Sequence, residues 1–188
     1  MCGIVGYIGN RKAGPLLIAG LRKLEYRGYD SAGIATINEK GIEIRKDIGK
    51  IDAIEKKIGL SEAAGNIGIA HCRWATHGGV TQKNAHPHAS PKHQISLVHN
   101  GIIENFSEIK KNLQEQGYTF ESETDTEVVA HLMDSLYQGN LKEAVQKAAT
   151  LVKPGSVVLL SPACSSLDMY SGYDARGDDF TKNIKALT

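Results

Sequence analysis

Cys2 stands directly after the initiator Met, and removal of Met1 leaves one residue that carries both a thiol and a free α-amine. An α-amine with a reference pKa of about 7.7 to 8.0 accepts a proton near neutral pH, and a thiolate is an effective nucleophile. Nucleophile and general base then share one residue, an arrangement suited to acyl transfer. The alternative is a small buried cysteine at the start of a strand. Farther along, His71-Cys72-Arg73-Trp74-Ala75-Thr76-His77-Gly78 places a guanidinium, a hydroxyl and an imidazole at the mouth of a predicted strand. Arg grips a carboxylate bidentately and Thr adds a hydrogen bond. Asp125, within Ser122 to Glu127, could meet an ammonium group, so that Arg73 and Asp125 together suit a free α-amino acid. The same acidic cluster could equally be a helix cap. Asn100-Gly101 supplies either a turn or an amide side chain and a backbone N–H that form an oxyanion hole.

His86, His88 and His93 raise the question of a metal. No cysteine or carboxylate lies close by in sequence to complete a zinc set, so no metal is expected. The glycine-rich fragments contain neither a phosphate loop nor a dinucleotide fingerprint, and no cofactor is expected.

These residues need elements to hold them. Gly3 to Ile8 (GIVGYI) reads as a buried strand, so position 2 is anchored by it. Leu17, Leu21 and Leu24 recur at helical spacing behind Pro15, which predicts a helix over Ala13 to Leu24. Gly33 to Ile37 and Ile42 to Arg45 predict a hairpin turning at Asn38 to Gly41. Ile67 to Cys72 and Ile95 to Val98 predict two more strands, joined by a long Gly-, His- and Pro-rich connection of the kind that is usually functional. Asn105 with Glu108 and Thr124 with Glu127 resemble capping boxes, each opening a helix. A further helix from Leu141, a strand over Val157 to Leu160 and a last helix around Phe180, Ile184 and Leu187 complete the prediction. Hairpins and helices in blocks argue for a layered α+β sandwich.

Composition narrows the function. The chain of 188 residues is 41 % hydrophobic and 23 % charged, which excludes disordered and fibrous classes. At this size a folded chain buries roughly 70 % of its surface, enough for one domain. Lys and Arg (22) nearly cancel Asp and Glu (21), so no global field exists to hold a polyanion, and nucleic-acid binding is not expected. Cys2, Cys72 and Cys164 are too scattered for a disulfide framework, which points to the reducing cytoplasm. No stretch is long and apolar enough to span a bilayer, and no signal peptide is expected.

Five motifs, in order, carry a resemblance: Cys2 to Gly6, Glu25 to Gly33 (EYRGYDSAG), Arg73 to Gly78, His99 to Asn105 and Ser122 to Glu127. Over residues 1 to 148 they look like the glutaminase domain of the glutamine:fructose-6-phosphate amidotransferases, class II glutamine amidotransferases of the N-terminal nucleophile hydrolase type. The resemblance implies a four-layer αββα sandwich, here incomplete. It implies Cys2 as nucleophile and, through its amine, base. Asn100 and Gly101 would form the oxyanion hole, with Arg27 near the nucleophile. Arg73, Trp74, Thr76 and His77 would hold the glutamine carboxylate side, and Asp125 the ammonium. Cys72 stands where the family usually has Thr.

The implied reaction is hydrolysis of glutamine to glutamate and ammonia through a thioester, supplying ammonia for glucosamine 6-phosphate synthesis. The implied partners are L-glutamine and a sugar-isomerase domain or chain absent from this sequence, with a homodimer left open. The contrasting reading is a truncated or hybrid chain that binds glutamine at most. That reading is motivated by residues 149 to 188. Lys153 to Tyr170 (KPGSVVLLSPACSSLDMY), followed by Arg176-Gly177 and Phe180, is similar to the C-terminal end of UDP-N-acetylmuramoylalanine:D-glutamate ligases. There Ser166, Leu167 and Tyr173 would match positions touching D-glutamate. The ligase's ATP-binding domain has no counterpart here, and the junction is expected within the helix Leu141 to Val152.

Overall fold

A computed structural model describes residues 2–75, 78–92 and 94–151, with Arg27 described by its backbone alone. Thr76, His77, His93, Cys164, the strand Val157 to Leu160, the last helix and the ligase-like segment lie outside the described residues. Strand β1 (Gly3–Ile8) leads into helix α1 (Ala13–Leu24) and a 3₁₀ turn over Glu25–Arg27. The hairpin β2 (Ser31–Asn38) and β3 (Gly41–Ile48), helix α2 (Ile51–Ile58) and strand β4 (Ile67–Arg73) follow. All pairings in this first sheet are antiparallel, and the order is β1-β4-β2-β3. Helix α1 buries Ala13, Leu17, Ile18 and Leu21, one stripe at helical spacing, against Val5, Ala32, Ile34 and Ala70 of the sheet. Each of the Leu and Ile side chains withdrawn from water is worth about 1.5–3 kcal/mol. Pro15 sits in the first turn of α1, where no helical N–H is lost.

Helix α2 was not foreshadowed by the sequence reading, although Ile51, Ile54 and Ile58 keep one face. Ile51 and Ile54 are buried, and Gly59 closes the helix in the left-handed conformation (φ 58°). The predicted strand Ile95 to Val98 shortens to β6 (Ser96–Leu97), which pairs with β5 (His88–Ala89) inside the supposed irregular connection. The reason is local: β5 is bounded by Pro87 and Pro91, neither of which has an N–H to extend a ladder.

Helices α3 (Phe106–Glu115), α4 (Asp125–Leu136) and α5 (Leu141–Leu151) form the last layer around a second core of Ile95, Ile103, Leu113, Val128 and Leu132. The capping boxes are corrected in detail. Thr124 accepts the Glu127 N–H at 3.4 Å, but the Glu127 carboxylate accepts from the Glu121 and Ser122 backbones and the Ser122 hydroxyl instead of closing the box. Asn105 is the N-cap residue of α3 but its side chain makes no capping bond; its amide donates to the carbonyl of Leu151 at 2.9 Å, tying α3 to the end of α5.

Helix, sheet, a two-stranded sheet and helices thus stack as the αββα order, with the second sheet reduced to β5 and β6 among the described residues. The face of the first sheet opposite α1 is covered where His86 and Pro87 cross it, and a Cβ on Gly33 would stand 2.4 Å from the His86 carbonyl. At its other end Ile8, Ile67, Ile37 and Ile42 lie side by side in register, with Ile8 71 % and Ile37 48 % exposed.

Candidate functional site

The register of β1 on β4 makes the site. Gly3 pairs with Cys72, which sets Cys2 beside the residues that leave β4. The Trp74 N–H donates to Cys2 Sγ at 3.2 Å, and the thiol lies 3.5 Å from the Trp74 carbonyl. Asp30 shapes this turn: its N–H donates to the Arg73 carbonyl at 2.7 Å, and its carboxylate accepts the Ala75 N–H. The Trp74 ring is half exposed and lies against Gly28, where a Cβ would stand 2.7 Å from the indole, so only a glycine permits this approach. The backbone of Arg27 directly precedes that contact; its side chain is outside the described set.

Arg73 ends β4 with a buried side chain, and its guanidinium donates to the carbonyls of Gly79 (3.2 Å) and Gly78 (3.4 Å). The guanidinium therefore fixes the returning loop as well as facing the cleft. Asn100, beyond β6, donates through Nδ2 to the Cys2 carbonyl at 3.4 Å. Gly101 follows with φ 142°, a backbone that favours glycine. Asp125 opens α4 with a buried carboxylate that accepts the Ile103 N–H at 2.8 Å and the Thr126 hydroxyl at 3.4 Å. The cap of α4 is Thr124, not Asp125, so the two readings of the acidic cluster fall on different residues. Cys2, Arg73, Trp74, Asn100, Gly101 and Asp125 all line one small cleft.

The sequence reading gave no role to three histidines that also line it: His71, His86 and His99. His71 Nε2 meets Asn100 Oδ1 at 2.8 Å, and the His86 ring stacks on His71 with centroids 4.3 Å apart. His86 Nδ1 accepts the His99 N–H at 3.4 Å. Burial pushes the His71 imidazolium down to about 4 and holds His86 well below the ordinary range, so both rings are neutral. His88 packs its edge on His86 and contacts the Thr124 hydroxyl at 2.9 Å. The only sequence signal for this cluster was the richness of histidine around two strand ends. Among the described residues no three His, Cys, Asp or Glu side chains form a group that could hold a metal ion.

A larger cavity of about 680 Å³ lies between β3 and α4, lined by Lys46, Glu121, Ser122, Glu127 and His131 among others. No cysteine lines it. Lys46 there spends its ammonium on the carbonyls of Ala85 (2.7 Å), Pro87 (3.0 Å) and Lys83 (3.2 Å), tying the His86 segment to the sheet. Cys2 lines the smaller cleft and not this cavity.

Residues 57–147 match the model of the glutamine amidotransferase domain. The chain is 54 % identical over 153 residues to the glutamine–fructose-6-phosphate aminotransferase (isomerizing) of Clostridium tetani, covering 81 % of this chain and 25 % of the relative. It is 49 % identical over 161 residues to the enzyme of the same name from Thermus thermophilus, covering 86 % and 27 %. The chain thus spans about a quarter of the length of these curated relatives. Among solved structures it is similar to glutamine phosphoribosylpyrophosphate amidotransferase from B. subtilis, at TM-score 0.69 and 28 % identity, over 81 % of this chain and 33 % of that one. A second neighbour, an allosteric regulatory enzyme of purine biosynthesis, gives TM-score 0.71 and 29 % identity over the same shares. The fold is that of the N-terminal nucleophile amidotransferases.

Proposed function

We propose that this chain, whose residues 57–147 match the glutamine amidotransferase domain, hydrolyses the side-chain amide of L-glutamine through Cys2. The carrying observation is the position of Cys2 Sγ, 3.2 Å from the Trp74 N–H in a cleft shared with Arg73, Asn100, Gly101 and Asp125. With Met1 removed, the Cys2 α-amine takes the thiol proton and the sulfur attacks the amide carbon. The resulting oxyanion is met by Asn100 Nδ2 and the Gly101 N–H. The amine returns the proton to the leaving nitrogen, the C–N bond breaks and ammonia departs. Water then cleaves the glutamyl thioester, so glutamine and water become glutamate and ammonia.

Arg73 and Asp125, opposite charges that both line the cleft, suit the α-carboxylate and α-ammonium of the substrate. By the family resemblance, Trp74, Thr76 and His77 would belong to the carboxylate side and Arg27 to the surroundings of the nucleophile. In this reading the ammonia feeds glucosamine 6-phosphate formation on a sugar-isomerase domain or chain, in the cytoplasm, with a homodimer open as the assembly. We take residues 1–148 as a truncated glutaminase domain and 149–188 as a ligase-like tail from which no ligase activity is inferred.

The shortness of β5 and β6 favours one second reading, a chain that binds glutamine without turnover. Intact mass before and after incubation with an electrophilic glutamine analogue, beside Cys2→Ser, separates the two. A single adduct on a chain lacking Met1, absent from Cys2→Ser, supports hydrolysis; no adduct leaves binding alone.

A further inference from the structure

His71 is a buried side chain on β4, two residues before Arg73 and on the same face of the strand, so it points where Arg73 points. Its Nε2 lies 2.8 Å from Asn100 Oδ1. The other end of that carboxamide, Nδ2, donates to the Cys2 carbonyl at 3.4 Å. A carboxamide has almost the same shape either way round, and its two ends differ only in that one accepts and the other donates. Turned over, Asn100 would present Oδ1 toward Cys2, and a developing oxyanion there would be repelled instead of stabilised. A contact that accepts only one orientation is therefore needed.

We infer that His71 is a positioning residue which fixes the orientation of the Asn100 carboxamide, so that Nδ2 and not Oδ1 faces the reacting centre at Cys2. The imidazole carries its hydrogen on Nε2 and offers it to Oδ1, a bond that the amide nitrogen cannot replace. His71 Nδ1 is buried without a hydrogen-bond partner, so a hydrogen placed there would go unsatisfied. His86 stacks on it at 4.3 Å, and His86 also accepts the N–H of His99, the residue before Asn100. Two histidines thus hold the 99–100 segment, one through the backbone and one through the side chain. Burial, with the Arg73 guanidinium and His99 close by, disfavours a proton on the second nitrogen. His71 takes no part in proton transfer; it acts through Asn100. The inference rests on the reading of Asn100 as an oxyanion donor.

The test uses the full chain. His71→Phe keeps a ring against His86 and deletes the donor, whereas His71→Gln restores an amide donor. His71→Phe should lower kcat for ammonia release by about 10- to 100-fold, somewhat less than the loss of an oxyanion donor itself. KM for glutamine should stay within about threefold, and His71→Gln should recover part of the loss. In an Asn100→Ala background His71→Phe should change kcat by less than about twofold, because the group it positions is gone. Equal losses in both backgrounds, or no loss in either, would overturn the inference.

A second readout needs no turnover. Long-range ¹H–¹⁵N spectra of histidine-labelled chain should place the His71 hydrogen on Nε2 at neutral pH. A hydrogen on Nδ1, or a protonated ring, overturns the inference even if His71→Phe does not fold. A wild-type chain that releases no ammonia would sink the proposed function, while the spectra would still decide the part played by His71.

Discussion

The N–H of Trp74 donates to the sulfur of Cys2 at 3.2 Å, across 72 residues of chain. The contact exists because β1 lies antiparallel on β4 with Gly3 opposite Cys72, so a residue just before one strand meets a residue just after the other. Removing the thiol should therefore abolish chemistry without disturbing the register, since the backbone pairing is independent of the side chain. Cys2→Ala is expected to lower ammonia release by at least about 1,000-fold, as for the loss of a covalent nucleophile, while glutamine binding by calorimetry changes by less than about threefold. Retained ammonia release would show that another group does the work.

One carboxylate oxygen of Asp125, the proposed ammonium partner, already accepts the Ile103 N–H at 2.8 Å. Asp125→Asn keeps an acceptor for that bond and removes the charge. The thermal midpoint should move little, whereas KM for glutamine rises about 10- to 100-fold, the worth of a charge-assisted hydrogen bond at about 1.5–3 kcal/mol. A large fall in the midpoint with KM unchanged would assign Asp125 to the helix alone.

The buried histidines make stability depend on pH. Unfolded, each imidazole takes a proton near pH 6.5; folded, His71 does so near 4, His88 near 2 and His86 well below the ordinary range, all because of burial. Between about pH 6.5 and 4 the unfolded chain holds more protons than the folded one, so stability rises with pH there and falls on acidification. Each ring contributes about 1.4 kcal/mol per pH unit well inside that window. Thermal melts at pH 7, 6 and 5 should show a falling midpoint, with a shallower fall in His88→Phe than in wild type. A midpoint constant from pH 7 to 5 would mean that the rings are hydrated or already charged.

Gly33 is the point where the second layer rests on the first sheet. A Cβ there would stand 2.4 Å from the His86 carbonyl and 2.5 Å from Lys46 Cβ, and the carbonyl belongs to backbone that cannot step aside freely. Gly33→Ala should destabilise by about 1–3 kcal/mol, the usual cost of overpacking, read as a shift in denaturant midpoint. It should also slow modification of Cys2 by the glutamine analogue, because His86 is displaced from its stack on His71. A variant as stable as wild type would place the loop farther from the sheet.

Lys57 pairs with the buried carboxylate of Asp47 at 2.6 Å, and this partner is the main cause holding Asp47 below the ordinary carboxylate range. A carboxylate lowered in the fold contributes stability above its unfolded pKa of about 3.8–3.9 and loses it as pH falls through the folded value. Lys57→Met should cost at most about 1 kcal/mol at pH 7, because the lysine is largely exposed. That difference should vanish in melts below about pH 3; a difference that persists there would trace to packing of the lysine stem.

Much of this molecule was legible from local pattern. The strand Gly3–Ile8, the helix Ala13–Leu24, the hairpin and the cap at Thr124 depend on neighbours a few residues apart, and side-chain periodicity or a hydroxyl before a helix reports them directly. Cys2, Arg73, Asn100 and Asp125 could be named as candidates because their functional groups suit amide chemistry whatever the fold. The two-residue β5 and β6 were not legible, since their length is set by prolines acting against a partner strand. The link from Asn105 to Leu151 was equally hidden, being a choice between a local cap and a distant carbonyl.

The sequence by itself determined the chemistry available: a thiol beside the N-terminus, a guanidinium, a carboxamide and a carboxylate. Only the tertiary structure decided that Arg73 also clasps Gly78 and Gly79, that Asp125 also holds Ile103, and that His71 rather than solvent meets Asn100. Those pairings come from strand register and from which face each side chain occupies, and a shift of one residue in β1 against β4 would carry Cys2 away from Trp74 with no change in composition or local pattern.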